Sequence, residues 1–268
     1  MSFPQMADEA SIRAARIRAL AKDLATLSDS QVAWMEGVIK QFTIEPELQR
    51  NPASDLVSDC VLAMFGDALQ IHHCFSTEAL SKDRFEYAFN RVLNQCGVSS
   101  TLADRCNPGH DITIRGVPFS LKTQADRSIR PDLLHISKFM ELGKGVWVNE
   151  ADLLGLRDRF FRHMESYDRV LQLRRFTNLE TLQQYELVEI PKALLLKAAN
   201  FAPVMMNGSA QVPKPGRCSV VEGGQTLFEL YFDGGTERKL QIQKLRKDLC
   251  VVHAGWSIKR IPLSTEVA

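Results

Sequence analysis

The sequence predicts a mixed α/β domain, a central mixed β-sheet flanked by helices. Three observations predict it. Amphipathic helical patterns fill the N-terminal part of the chain, a tight hairpin pattern follows at residues 108–124, and the C-terminal part alternates strand-length apolar runs with glycine-rich turns.

Each element has its own signal. Residues 8–26 set Ile12, Ala15, Ile17, Leu20 and Leu24 at helical spacing, and a second helix covers 30–42 with Asp29 or Ser30 as N-cap. Residues 45–52 are rich in breakers and read as a loop before a third helix at 54–69. Between 81 and 96, Phe85, Phe89, Val92, Leu93 and Cys96 share a helix face that Gly97 ends. Residues 111–114 and 117–122 are two short strands about Arg115-Gly116, whose glycine supplies the positive φ of a tight turn. Residues 132–142 read as a helix stopped by Gly143, and a long helix over 150–170 carries arginines 157, 159, 162 and 169, with Arg174 and Arg175 just beyond. A strand at 185–190 leads through Pro191 into a helix at 192–200. Residues 203–224, rich in Pro, Gly and Ser, read as a surface loop. Strands at 227–232 and 239–243 pair across Asp233-Gly234-Gly235-Thr236, and a last strand covers 250–258. Residues 1–70 are expected to form an N-terminal helical segment packed on a core of residues 71–268, the whole being one structural domain.

Composition narrows the function. The chain has 268 residues, 45% hydrophobic and 24% charged, with a net charge of +1, as in an ordinary soluble protein and unlike a general polyanion binder. No apolar run approaches the ~20 residues of a membrane span, and there is no signal-peptide pattern, so a cytoplasmic, bacterial-type intracellular location is expected. No phosphate loop, dinucleotide fingerprint or HExxH helix is present. Six cysteines form no CxxC pair; His72-His73-Cys74 and Cys106 with His110 invite a zinc reading but lack a second ligand pair, so unpaired reduced cysteines are expected. Charge is unevenly spread: residues 237–247 hold five cations against one carboxylate.

The hairpin carries the chemistry. A two-residue turn pairs 114 with 117, 113 with 118 and 112 with 119, placing Asp111 opposite Ser120 and one diagonal step from Lys122. A carboxylate and an ammonium group projecting together from a sheet can bind a divalent metal and orient water against a phosphodiester. From the pairing alone an ordinary surface ion pair is the better supported alternative. Glu86, at the margin of its helix face, reads by itself as a solvated carboxylate.

Taken with Ser76-Thr77-Glu78-Ala79-Leu80, Phe85-Glu86-Tyr87-Ala88-Phe89, Asn107 to Ile114, Leu121-Lys122-Thr123, Met140-Glu141-Leu142-Gly143-Lys144-Gly145, Leu187 to Lys192 and Tyr231-Phe232-Asp233-Gly234-Gly235, the chain resembles type II restriction endonucleases of the PD-(D/E)xK superfamily, and more narrowly the SmaI family. The resemblance implies a restriction-endonuclease-like core, Mg²⁺ as cofactor, double-stranded DNA as substrate, a CCCGGG-like palindrome cut by a homodimer, and a cognate DNA methyltransferase as functional partner. It implies that Asp111 binds the metal directly, that Glu86 reaches it through water, that the Leu121 carbonyl is a further ligand, and that Lys122 orients or deprotonates the attacking water. One position departs from the family pattern: Ser120 stands where Asp or Glu is expected. Mg²⁺ needs one or two protein carboxylates, so Glu86 can answer for the missing one, Glu141 less readily, while Gln124 could hold the water. For reading DNA, the basic ribbon that includes residues 237–247 offers Arg238, Lys239, Gln241 and Lys244, with a solvated strand face with a charged end as the even alternative. Arg127 and Arg130 are candidate phosphate contacts. Because of Ser120, a noncatalytic DNA-binding protein on a degenerate nuclease scaffold stays open as an alternative, as does a repair nickase of the same fold.

Overall fold

A computed structural model describes residues 3–104, 109–126, 129–179 and 181–261, with side chains described from residue 10 onward and not at 177–179. In chain order the elements are α1 (Phe3–Leu24), α2 (Asp29–Phe42), β1 (Glu47–Arg50), α3 (Asp59–Phe75), α4 (Lys82–Gln95), β2 (Ser100–Leu102), β3 (Ile112–Ile114), β4 (Val117–Gln124), β5 (Leu133–Glu141) and α5 (Glu150–Met164). There follow β6 (Arg169–Leu179), β7 (Leu182–Ile190), α6 (Lys192–Leu196) with a 3₁₀ turn at Lys197–Asn200, β8 (Val204–Met205), β9 (Gly216–Glu222), β10 (Gln225–Phe232), β11 (Lys239–Arg246) and β12 (Val251–Lys259).

The strands form two sheets where one was expected. The larger is a mixed seven-stranded sheet in the order β1-β12-β7-β6-β4-β3-β2, in which only β4 and β6 run parallel. Parallel neighbours need a long crossover, which β5 and α5 provide. The second sheet is antiparallel, in the order β5-β11-β10-β9-β8. Alternation explains how the large sheet is covered on both faces. Phe119, Leu121, Leu171 and Leu187 meet α3 and α4, where Phe65 packs its ring on Phe85, Phe89 and Trp256 at 6.0, 5.8 and 5.1 Å. Val170, Val188 and Ile190 look the other way, toward Phe160 of α5 and the inner face of the second sheet at Phe228, Leu240 and Ile242.

Several expected elements differ, each for a physical reason. Residues 132–142 are a strand, not a helix: register shifts against β11 space the buried residues 134, 136, 139 and 142 by two, three and three, which imitates a helical period. The helix expected over 150–170 ends at Met164, because Tyr167 continues the buried series Leu153, Leu156, Phe160, Met164 although the chain has already turned toward β6. Residues 45–52 and 203–224 are not wholly loop, since they contain the edge strand β1 and strands β8 and β9. The 227–243 ribbon is not free-standing: β11 lies between β10 and β5 as an interior strand of the second sheet. The N-cap of α2 is Ser28, in a capping box with Gln31, rather than Asp29 or Ser30.

The first 70 residues divide. α1 is exposed along its described length, with Ile12, Ile17 and Leu20 more than half exposed, while α2 docks on α3 through the buried Gln41, whose carbonyl accepts from Gln70 at 3.3 Å. α3 runs through residue 70 into the core. The cysteines are not all unpaired: Cys60 and Cys96 form a disulfide between the start of α3 and the C-cap of α4. Cys74, Cys218 and Cys250 are free, and Cys106 lies outside the described residues. His72 and His73 do not assemble a zinc site with Cys74; His72 bonds the Glu78 carbonyl, and His73 bonds the Ser76 carbonyl and the Tyr185 hydroxyl, each at 2.9 Å.

Candidate active site

The β3–β4 hairpin has the register its sequence predicts, Ile114 with Val117, Thr113 with Pro118 and Ile112 with Phe119. Arg115 and Gly116 turn with φ of 51° and 81°, the positive pair that matches strand twist. Just beyond the ladder, the Asp111 N–H donates to the Phe119 carbonyl at 2.8 Å. The strand has run out of partner at Leu121, and the Asp111 side chain takes that place: its Oδ2 accepts from the Leu121 N–H at 2.6 Å and the Ser120 hydroxyl at 3.1 Å. Ser120, buried, thus orients the carboxylate rather than adding a second one.

The other oxygen of Asp111 faces α4. Ser81 caps that helix through the Arg84 N–H and sets Lys82 and Glu86 one turn apart on the side facing the hairpin. The Lys82 ammonium lies 2.7 Å from Asp111 Oδ1 and 3.1 Å from Glu86 Oε1. Two carboxylate oxygens therefore converge on a single cation position, the kind of hard donor a divalent ion prefers and completes with water or phosphate. Burial raises the Glu86 pKa against the pull of Lys82. Burial works to lower that of Lys82, but attraction to Asp111 and Glu86 outweighs it and leaves it raised.

Lys122 projects from β4 on the opposite face to Leu121. It is 9% exposed and its Nζ stands 5.4 Å from the centre of the Phe139 ring. Burial brings its pKa down to about 8, although Asp111 pulls the other way. Beyond it, Phe139, His163 and Tyr167 stack in sequence, with ring centres 5.9 and 5.5 Å apart. Burial, reinforced by the Lys122 charge, lowers the His163 pKa to about 4. His163 Nε2 and the Tyr167 hydroxyl are both buried without a hydrogen-bond partner among the described residues.

Asp111, Glu86, Ser120, Leu121 and Lys122 are thus brought together from three elements. Glu141 is held elsewhere, by Lys138 at 2.7 Å, and Gln124 is spent on Arg174 and the His135 N–H at 3.2 and 3.3 Å. Lys82, His163 and Tyr167 escaped sequence reasoning; only the four-residue spacing of Lys82 and Glu86 on a helix signalled the first. Arg174 and Arg175, grouped in sequence with a basic cluster, are internal clamps. Arg174 is fully buried and bonds Glu186, Gln124 and the carbonyls of Arg130 and Leu133, while Arg175 bonds Gln183 and the Thr77 carbonyl.

Of the candidate DNA contacts, Arg238 donates to the Lys144 and Gly145 carbonyls, Lys239 meets Glu237 and Lys244 meets Glu229, each at 3.1 Å, and Gln241 donates to Asp233 at 3.1 Å. Arg130 is exposed and paired with Asp132 at 2.7 Å, and Arg127 lies outside the described residues. A separate group, Asp55, Glu189 and His253, has its ligand atoms close enough for a metal ion. There Arg169 already bridges Asp55 and Glu189, at 2.7 and 2.8 Å, and Ser54 bonds His253 Nδ1 at 2.8 Å. Arg169 thus already occupies both carboxylates.

A mixed sheet flanked by helices, with two carboxylates and a buried lysine gathered at its β3–β4 hairpin, fits a nuclease of the restriction-endonuclease kind. Residues 20–258 match the SmaI family, described as type II site-specific deoxyribonuclease. The type II restriction enzyme SmaI of Serratia marcescens is 46% identical over 230 residues, 85% of this chain and 90% of that protein. No solved structure matches the chain. The chain belongs to the SmaI family of type II site-specific deoxyribonucleases and is a sequence-specific restriction endonuclease. No helix among the described residues is long and apolar enough to cross a membrane.

Proposed function

We propose that this endonuclease hydrolyses both strands of a CCCGGG-like palindrome with Mg²⁺, acting as a homodimer in which each subunit cuts one strand, alongside a methyltransferase that protects the same site. The observation that carries the site assignment is the convergence of Asp111 and Glu86 on one cation position beside the buried Lys122. Asp111 and Glu86, with the Leu121 carbonyl, would hold the metal, which supplies Lewis-acid stabilisation of charge on the phosphate when bound. Ser120 and the Leu121 N–H keep Asp111 pointed at the site. Lys122, whose pKa of about 8 leaves a working fraction neutral near physiological pH, orients the attacking water and accepts its proton as the new P–O bond forms. The leaving sugar oxygen departs with its bonding pair and is protonated by solvent.

Arg238, Lys239, Gln241 and Lys244 stay in the reading as DNA contacts of the second sheet, with Arg127 and Arg130 on backbone phosphates. Plasmid incubated with protein and Mg²⁺ is expected to give discrete linear fragments; uncut plasmid identifies a pure binder, and open circles a nickase. Asp111→Ala and Lys122→Ala should lose at least about 100-fold in cleavage, Asp111→Ala still binding the site, and Glu86→Ala should lose most activity. Full cleavage by Lys122→Ala would overturn the catalytic assignment.

A further inference from the structure

We infer that Lys144, presented by the loop between β5 and α5, reads a guanine edge in the recognition site. The inference rests on the site-specific reading above and deepens it. Two sequence blocks that catalysis leaves without a role, residues 140–145 and 231–235, meet here. Leu142 donates its N–H to the Arg238 carbonyl at 2.8 Å, and the Arg238 guanidinium holds the carbonyls of Lys144 and Gly145. Asp233 braces the facing loop, accepting from the Gly235 N–H at 2.9 Å and from Gln211 and Gln241 at 3.2 and 3.1 Å. Gly234 lies so close to Pro213 that a Cβ would fall 1.9 Å from its carbonyl oxygen, which only glycine permits.

The loop is pinned on both sides. Arg159 donates to the Leu142 carbonyl, and the buried Trp147 donates its ring N–H to the Lys214 carbonyl, both at 2.7 Å. Between these anchors residues 143–146 are exposed, so a short, restrained segment offers one long cation flanked by two glycines. Charge pairing singles that cation out. Lys138, Arg238, Lys239 and Lys244 all have acidic or carbonyl partners, whereas the Lys144 ammonium makes no hydrogen bond or ion pair among the described residues. It can meet a base without breaking an internal contact.

Position agrees with this role. Lys138 lines both the cleft holding Lys82 and Lys122 and the neighbouring cleft lined by Lys144 and Arg238, so the loop borders the catalytic groove. The face of β11 is worse placed for base edges. Five strands at ~4.8 Å span roughly 20 Å, too wide for a major groove of ~12 Å, so a loop at the sheet's end must do the reading. Lysine donors suit guanine O6 and N7, and a CCCGGG site offers them on both strands.

The test is equilibrium binding of the full chain, with Ca²⁺ replacing Mg²⁺ and salt held fixed, to a CCCGGG duplex and to three duplexes that each carry A·T for one G·C pair at the equivalent position of both half-sites. On one of the three, Lys144→Ala should bind within about threefold of the unsubstituted protein, while it binds the CCCGGG duplex and the other two about 10–100-fold more weakly, with Lys144→Arg restoring the preference. An equal loss on all four duplexes marks a phosphate contact and overturns the inference, as does no loss on any of them. The unsubstituted protein reports separately on the parent reading: if it prefers none of the four duplexes, recognition of this sequence itself fails.

Discussion

At the scale of single residues, Lys122 sets stability against chemistry. Its pKa falls from 10.5 to about 8 on folding, so between those values the unfolded chain binds the extra proton and stability rises with pH. Below pH 8 the full cost of the buried charge, roughly 3 kcal/mol, is present. Lys122→Met should therefore lose cleavage yet gain stability at pH 7, and the gain should shrink as pH climbs from 8 to 10.5. Urea denaturation of both proteins across that range, without metal, checks it; a gain that is flat with pH contradicts it. Tyr167 offers a second contrast. Removing its unpartnered hydroxyl with Tyr167→Phe should leave the denaturation midpoint unchanged or higher. Asp111 and Lys122 were legible because hairpin register follows from turn length and alternation. Lys82 was not, because its partner Asp111, just before β3, is 29 residues away and only packing brings them together.

At the scale of elements, α4 and β4 are each held from two sides. α4 packs Phe85 and Phe89 into the core and is tied to α3 through Cys60 and Cys96. Closing a loop with a sequence separation of 36 residues restrains the unfolded chain by about 3–4 kcal/mol in the loop-entropy account. Replacing both cysteines by serine should lower the denaturation midpoint of oxidised protein while cleavage persists, since the aromatic contacts still seat Glu86; loss of cleavage in folded variant would refute that. The far end of β4 depends on Arg174, whose removal leaves Glu186 buried beside Lys247 alone. Arg174→Ala should destabilise the protein by about 3–5 kcal/mol, measurable by urea titration. The helices were readable because their apolar faces repeat over several turns. Strands β5 and β6 were not, because a bulged strand and a helix-to-strand junction both keep apolar residues three or four apart.

At the scale of the whole molecule, most of the core-forming surface lies beyond α2. α1 buries little against the rest of the chain, and its deletion should shift the thermal midpoint of dilute protein by no more than about 2 °C, a surface-level change. A larger fall would place that helix against another surface. Net charge of +1 gives little general attraction to DNA, so on the proposed reading affinity comes from local groups along the clefts lined by Lys82, Lys122, Lys138 and Lys144. The second sheet was the least legible feature. Its strands β5, β8 and β9 come from segments that read as helix or loop, and their pairing depends on contacts far apart in sequence.

Lys82 gives the proposed metal site an ion-exchange character. Its ammonium already neutralises Asp111 and Glu86, so a divalent ion must displace a resident cation instead of relieving a repelling pair. Mg²⁺ added without DNA should then raise the melting temperature only slightly, and raise it more in Lys82→Ala, where the two carboxylates face each other unscreened. The same exchange would leave the displaced lysine free to meet the phosphate that arrives with the substrate, coupling ion uptake to DNA.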